Sequence, residues 1–365
     1  MESAGGVGKM RDLPFWVALS KVSSLGARRI MQLVETFGSA ENAFTAAADE
    51  IAAAGLPLKA ADAFVTERKN MDPEALLRDV TSAGFSVITR TATGYPALLR
   101  EIYDPPAVLF YRGNLDVLLG RCIAVVGSRK ATEYGKAAAA RLAGELVQAG
   151  SVVVSGMARG IDTHAHAGAL RAHGLTAAVL GCGLDICYPP ENVKLREAIV
   201  SQGVIISEFP PGTQPRPHHF PMRNRIISGL CTATVVVEAA EKSGALITAD
   251  CALEQGREVF AVPGSINSPA SRGCHRLLRE GAAIAESAAD ILAELGQSTD
   301  VIDAGGMNLT EKQQQVLQAL QYEPVHFDDL CTRTSLAAPV LAGLLVELEL
   351  SGILKKIPGN YYLRV

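Results

Sequence analysis

Six short apolar runs rich in β-branched residues mark the middle of the chain. They are CIAVVG (122–127), SVVVSG (151–156), TAAVLG (176–181), GVIISE (203–208), TATVVVEA (232–239) and REVFAVPG (257–264). Each is apolar throughout rather than alternating, and amphipathic stretches such as YGKAAAARLAGELVQAG (134–150) and GALITADCALEQG (244–256) lie between them. Continuous apolar strands separated by helices predict a parallel sheet covered on both faces. The fold class expected is α/β, a doubly wound Rossmann-like domain over residues 76–296. The segment YPALLREIYDPPAVLFYRGN (95–114) reads as an N-terminal extension of it.

The flanks follow other periods. Residues 12 to about 70 are alanine-rich and helical, with a helix expected to end near Gly38 and Ser39 expected to cap the next. This predicts a helical domain over 1–75 of SAM-like or helix-hairpin-helix type, used for packing or for DNA contact. GQSTDVIDAGGMN (296–308) is polar and glycine-containing, so 297–308 is expected to be a linker. Residues 309–365 then offer three helices and a hairpin around Pro358-Gly359-Asn360, the pattern of a winged helix. Its expected recognition helix, 335–350, has no Lys or Arg but carries Glu347 and Glu349, which suits protein contact or packing better than groove reading.

Composition narrows this picture without redirecting it. With 48% hydrophobic and 20% charged residues the chain reads as globular, and its net charge of −4 gives no global positive field. Phosphate binding therefore requires a local pocket. The N-terminal residues lack the apolar core of a secretory signal, and no uncharged run of 18 apolar residues predicts membrane insertion. The seven cysteines include no C-x-x-C pair, so neither a disulfide framework nor a structural zinc is expected. Buried thiols in a reducing cytoplasm are the expectation.

Ligands of open parallel sheets bind beyond the carboxyl ends of the strands. Gly127, Ser128, Arg129 and Lys130 follow the first run, and Gly156, Arg159 and Gly160 follow the second. Lys242, Ser243 and Gly244 follow the fifth. Glycines admit backbone N–H groups to an anion, and helix N-termini add partial positive charge. No turn satisfies G-x-G-x-x-G and there is no Walker lysine, so NAD and ATP are not expected and no cofactor is assigned. Asp162 and His166 share a helix face and read as structural rather than catalytic, and a metal site is not expected. The densest chemistry is QPRPHHFPMRNRIISGL (214–230), which holds Arg216, Arg223, Arg225, His218, His219 and Phe220 with no acid between them. Its three prolines predict a stiff extended loop whose cations suit phosphates and whose aromatic suits a stacked base. Glu208 and Glu238 are candidate ion-pair partners for Arg223.

The ordered set VGSR, SGMARGIDTHAH, AVLGCGLDICYPPEN, SEFPPG, FPMRNRIISGL, EAAEKSGALITA and VFAVPG resembles the DNA-processing protein A (DprA/Smf) family over roughly residues 95–292. The resemblance implies a non-enzymatic cytoplasmic protein of natural transformation that binds single-stranded DNA and dimerises through its Rossmann-like domain. It further implies that the protein helps load RecA against single-strand binding protein. On this chain the DNA pocket would comprise Arg129 of GSR, the glycines of SGMARG and the Arg216–Phe220 segment. Arg223, Asn224 and Arg225 of RNR and Lys242 of KSG would complete it; Arg159 rests on its strand-end position alone. The competing class is a nucleotide-phosphate-binding enzyme of the phosphoribohydrolase-like Rossmann type. EAAEKSGALITAD lacks the Pro-Gly-Gly and the glutamate that such an enzyme needs.

Overall fold

The computed structural model describes residues 4–296, 310–320, 324–351 and 353–364. The chain opens with helices Ala4–Lys21 (α1), Ala27–Phe37 (α2), Ala40–Thr45 (α3), Ala48–Ala53 (α4), Leu58–Arg68 (α5) and Pro73–Ser82 (α6). Gly38 adopts φ 80° and ends α2, its N–H reaching the Val34 carbonyl. Ser39 caps α3 by accepting from the Asn42 N–H. Both terminators stand where the sequence places them, because each follows from a local backbone requirement.

The sheet domain follows as Ser86–Thr89 (β1), Ala97–Arg100 (α7), Val108–Gly113 (β2), Cys122–Val126 (β3), Glu133–Gln148 (α8), Val152–Ser155 (β4) and Ile161–Arg171 (α9). It continues through Thr176–Val179 (β5), Val193–Gln202 (α10), Val204–Ser207 (β6), His219–Gly229 (α11), Ala233–Val236 (β7) and Gly244–Glu254 (α12). Glu258–Ala261 (β8), Arg272–Arg279 (α13), Ala283–Ile284 (β9) and Ala288–Glu294 (α14) complete it. The strand order is β1-β2-β6-β5-β4-β3-β7-β8-β9, parallel from β6 to β9 and antiparallel at β1 and β2. The chain winds from β3 outward to β6, then crosses back to β7 on the other side of β3. The topological switch therefore lies between β3 and β7, where a doubly wound sheet opens a crevice.

All six runs singled out in the sequence are strands, and three further strands join them. β1 is a half-exposed edge strand and β9 has two residues, so neither carries the continuous apolar signature of a central strand. β2 is the hidden part of the 95–114 extension and pairs antiparallel with β6. The N-terminal helices are not cored separately. Trp16, Leu19, Phe44 and Phe64 share one buried cluster with Phe110, Ala178 and Ile205 of the sheet.

The C-terminal unit comprises Glu311–Ala319 (α15), Val325–His326 (β10), Phe327–Thr334 (α16), Ala338–Leu350 (α17), Leu354–Ile357 (β11) and Tyr361–Arg364 (β12). Its three-stranded sheet runs β10-β12-β11 over its own core, which makes it a winged helix. The wing turns at Gly359 and Asn360, both at positive φ. The acids of α17 serve internal bonds: Glu347 accepts from the Gln313 amide and Glu349 from the Lys356 N–H. The expected linker 297–308 lies outside the described residues. All seven cysteines are unpaired, with four buried and Cys187, Cys251 and Cys331 half-buried. Among the described residues no single helix is long and apolar enough to cross a membrane.

Candidate nucleic-acid interface

A cleft of about 820 Å³ opens at the carboxyl ends of β3 and β7. The turn after β3 supplies Gly127, Ser128, Arg129 and Lys130, and α11 supplies Phe220, Arg223 and Asn224. Ser243 and Gly244 at the start of α12, Asp162 and Tyr188 complete the walls that carry its chemistry. Arg129 and Lys130 are exposed at its mouth. The Arg129 guanidinium stands 4.8 Å from the centroid of the Phe220 ring, and the Tyr188 ring packs against Phe220 at 5.4 Å. One cation and two aromatics, the rings tilted 39° to each other, thus form one contiguous cluster. Such a cluster can stack a planar base while offering its charge to a phosphate.

Arg223 plays a different part from the one its sequence position suggests. It is 3% exposed, and its Nη1 donates to the carbonyls of Gly156, at 2.8 Å, and of Val179. Burial pulls the guanidinium down to about 10, opposed by the nearby Asp162 carboxylate. Its planar group clamps the ends of β4 and β5 from below. A Cβ on Gly156 would lie 2.5 Å from that guanidinium, so the glycine is there for space.

The glycine-rich turn after β4 holds a group of the protein itself. Asp162, buried in the first turn of α9, accepts from the Ala158 N–H at 3.3 Å. Burial raises its carboxyl above the usual range, against the opposing charge of Arg223. Met157 adopts φ 55° in this turn, and its carbonyl accepts from the buried Asn192 amide at 2.9 Å. His166 is likewise structural, with Nδ1 2.7 Å from Thr176 Oγ1. The N-terminus of α8 is occupied in the same manner. Glu238, 2% exposed, accepts from the Thr132 N–H at 2.9 Å and from its hydroxyl at 2.5 Å, while Thr132 caps the helix. The N-termini of α8 and α9 thus already face carboxylates of this chain, whereas the start of α12, capped by the Ser243 hydroxyl, lines the cleft. The partial positive charge expected from helix N-termini is therefore offset at α8 and α9 and available to the cleft at α12.

Further placements differ from expectation. The stretch 214–230 has no regular structure as far as Arg216, turns at Pro217 and His218, and enters α11 at His219. Pro221 falls in the first turn of that helix, where a missing N–H costs nothing. Arg225 rather than Arg223 pairs with Glu208, at 2.6 Å, and also with Asp104, at 3.4 Å. It is committed to the protein interior. Arg159 forms an exposed pair with Glu191, and Arg216 is exposed on the 214–218 segment. Gly156, Arg159, Gly160, Arg216, Arg225 and Lys242 are not among the residues lining the cleft. Gly160 adopts φ 77° behind the Ser128 carbonyl, and Lys242 lines an adjoining groove. Tyr188 and Asn192 were not singled out from the sequence, though both belong to the YPPEN segment that ends the turn after β5.

Two family models match this chain: DNA recombination-mediator protein A over residues 86–296 and the DprA winged helix domain over 303–360. Protein Smf of Synechocystis is 35% identical over 96% of this chain and 98% of its own length. The chain belongs to the DprA/Smf family. The DNA processing protein DprA of Streptococcus pneumoniae is 50% identical over 55% of this chain and 71% of its own. The X-ray structure of DprA from S. pneumoniae superposes with TM-score 0.69 at 39% identity, covering 77% of this chain and 96% of that one. A Helicobacter pylori DNA processing protein A, solved for its single-stranded DNA binding mode, superposes with TM-score 0.53 at 30% identity. It covers 58% of this chain and 95% of its own.

Proposed function

We propose that this DprA/Smf protein binds single-stranded DNA in the β3–β7 cleft, protecting it in the cytoplasm during natural transformation and helping to load RecA on it. The stack of Arg129, Phe220 and Tyr188 at the topological switch carries the reading. Every base has a π-face and every nucleotide a phosphate, so a cation–aromatic surface accepts a strand without regard to sequence. Gly127, Ser128, Asn224, Ser243 and Gly244 add small or amide groups that let a backbone approach closely. The H. pylori relative, described by its single-stranded DNA binding, supports the ligand class. The family supports a role in DNA processing rather than a chemical step, so no reaction is assigned. An open sheet edge at β9, with Ile284 55% exposed, supports assembly into a homodimer. RecA, and single-strand binding protein as its competitor, follow from the family alone.

The test is affinity for oligo-dT, a mixed oligomer and a duplex across a salt series. The expected order is similar binding of both single strands, weaker binding of duplex and a fall with salt. Duplex binding as tight as oligo-dT would overturn the reading. Free base released from nucleoside monophosphates would assign the cleft to hydrolysis.

A further inference from the structure

Beside the cleft runs a groove of about 560 Å³ lined by Glu241, Lys242, Arg272, His275, Arg276 and Arg279. Four permanent cations face one carboxylate. The arginines occur at i, i+4 and i+7 of α13, one helical face, while Gly273, Cys274 and Leu277 bury the opposite face. The helix is fixed against the sheet: the Gly273 N–H donates to the Ala239 carbonyl at 2.7 Å, and a Cβ at Gly273 would collide with that oxygen. This junction holds Arg272 beside Glu241, 3.6 Å away, in the loop between β7 and α12.

The two cavities meet along two short segments. Ala240 and Ser243 line the cleft while Glu241 and Lys242 line the groove, and Ala270 lines the cleft while Arg272 lines the groove. We propose that the groove along α13 continues the cleft as a phosphate track, engaged by nucleic-acid strands too long for the cleft alone. This rests on the cleft being the single-strand site. The cleft offers Phe220, Tyr188 and one exposed cation pair, whereas the groove offers cations and, as its one ring, the His275 imidazole, whose Nε2 lies 3.0 Å from the Gly264 carbonyl. Bases are therefore held in the first and only backbone passes along the second. The exposed pairs Arg272–Glu241 and Arg276–Glu280 are of the kind that a phosphate displaces at little cost.

The experiment compares the full chain with an Arg272→Ala/Arg276→Ala variant on oligo-dT of about 6 and about 20 nucleotides. The expected result is unchanged affinity for the short oligomer and roughly tenfold weaker binding of the long one. Its salt slope should fall by about 1.4, two phosphates at ~0.7 each. Equal loss on both lengths, or no loss on either, overturns the track. So does an altered oligomeric state in sedimentation with long-strand binding intact, which would make the face a protein contact. If neither oligomer binds the unmodified chain, the cleft reading itself fails, which sets that failure apart. A second variant, Arg279→Glu, confirms folding by thermal melting and should weaken the long oligomer alone.

Discussion

The Arg129 guanidinium lies 4.8 Å from the centre of the Phe220 ring, so the exposed cation of the β3 turn and the aromatic of α11 form one unit. Their coupling is measurable. Arg129→Ala should weaken single-strand binding by about 1.5–3 kcal/mol, the scale of a charge-assisted hydrogen bond. Phe220→Leu should cost about 1–3 kcal/mol through lost base stacking. A double-mutant cycle should show the two losses to be non-additive, and similar for oligo-dT and mixed sequence. Strict additivity would separate the residues into independent contacts.

Arg223 should behave as a structural residue. Replacing it by Ala leaves the Gly156 and Val179 carbonyls without their donor and Asp162 without its compensating charge. The expected destabilisation is about 3 kcal/mol, or roughly 6–12 °C in melting temperature for a domain of this size. Arg129→Ala should melt like the parent chain. A normal melting curve for Arg223→Ala with lost DNA binding would make it a direct contact after all.

Glu238 caps α8 through Thr132, and the space above Gly135 is filled by its carboxylate. Glu238→Ala should therefore cost about 1–2 kcal/mol by taking the acceptor from the part-buried N–H and hydroxyl of Thr132. Gly135→Ala should destabilise by displacing that carboxylate. Chemical denaturation measures both, and wild-type stability for Glu238→Ala would remove its capping role.

His166 sets an acid limit. Burial holds its imidazole down at about 3, well under the ordinary 6.5 that it regains on unfolding. The folded chain therefore excludes a proton that the unfolded chain accepts, and stability falls as pH drops below about 6.5 toward about 3. The slope approaches ~1.4 kcal/mol per pH unit. Buried Asp162 and Glu208, raised by burial, act in the opposite sense, so the useful quantity is the difference between the parent chain and His166→Gln. That difference should shrink as pH falls; a constant difference would show that His166 does not titrate between the two states.

A chain ending at residue 296 should bind oligo-dT as tightly as the full chain, since every cleft residue precedes that point. Removing residues 1–75 instead should strip the cover from the cluster shared by Trp16, Phe64, Phe110 and Ile205. That truncation should aggregate or lose a cooperative melt. A stable, binding-competent fragment lacking 1–75 would show that the sheet face tolerates solvent.

The doubly wound core was legible because its strands are continuously apolar and four of the six runs end in glycine. Gly38 and Ser39 were legible for equally local reasons. The site was legible only in outline. Arg129 and Phe220 could be paired with the cleft from their places beside the strand ends, but which arginine would be buried is decided by packing. Arg223 and Arg225 lie two apart on α11 and so diverge, one into the space left by Gly156 and one toward Glu208 and Asp104. No periodicity in the RNR triplet records that choice. The basic face of α13 was written at i, i+4 and i+7, yet three arginines within RGCHRLLR resemble any solvated helix until Gly273 shows where the helix is fastened.

The carboxylate of Glu238 at the start of α8 also bears on which small molecules the protein ignores. Sheets of this topology commonly seat the diphosphate of a nucleotide cofactor at that helix. Here a diphosphate would face a buried negative charge and find the backbone donor already engaged. A nucleotide cofactor is thereby expected to find no diphosphate seat at the start of α8.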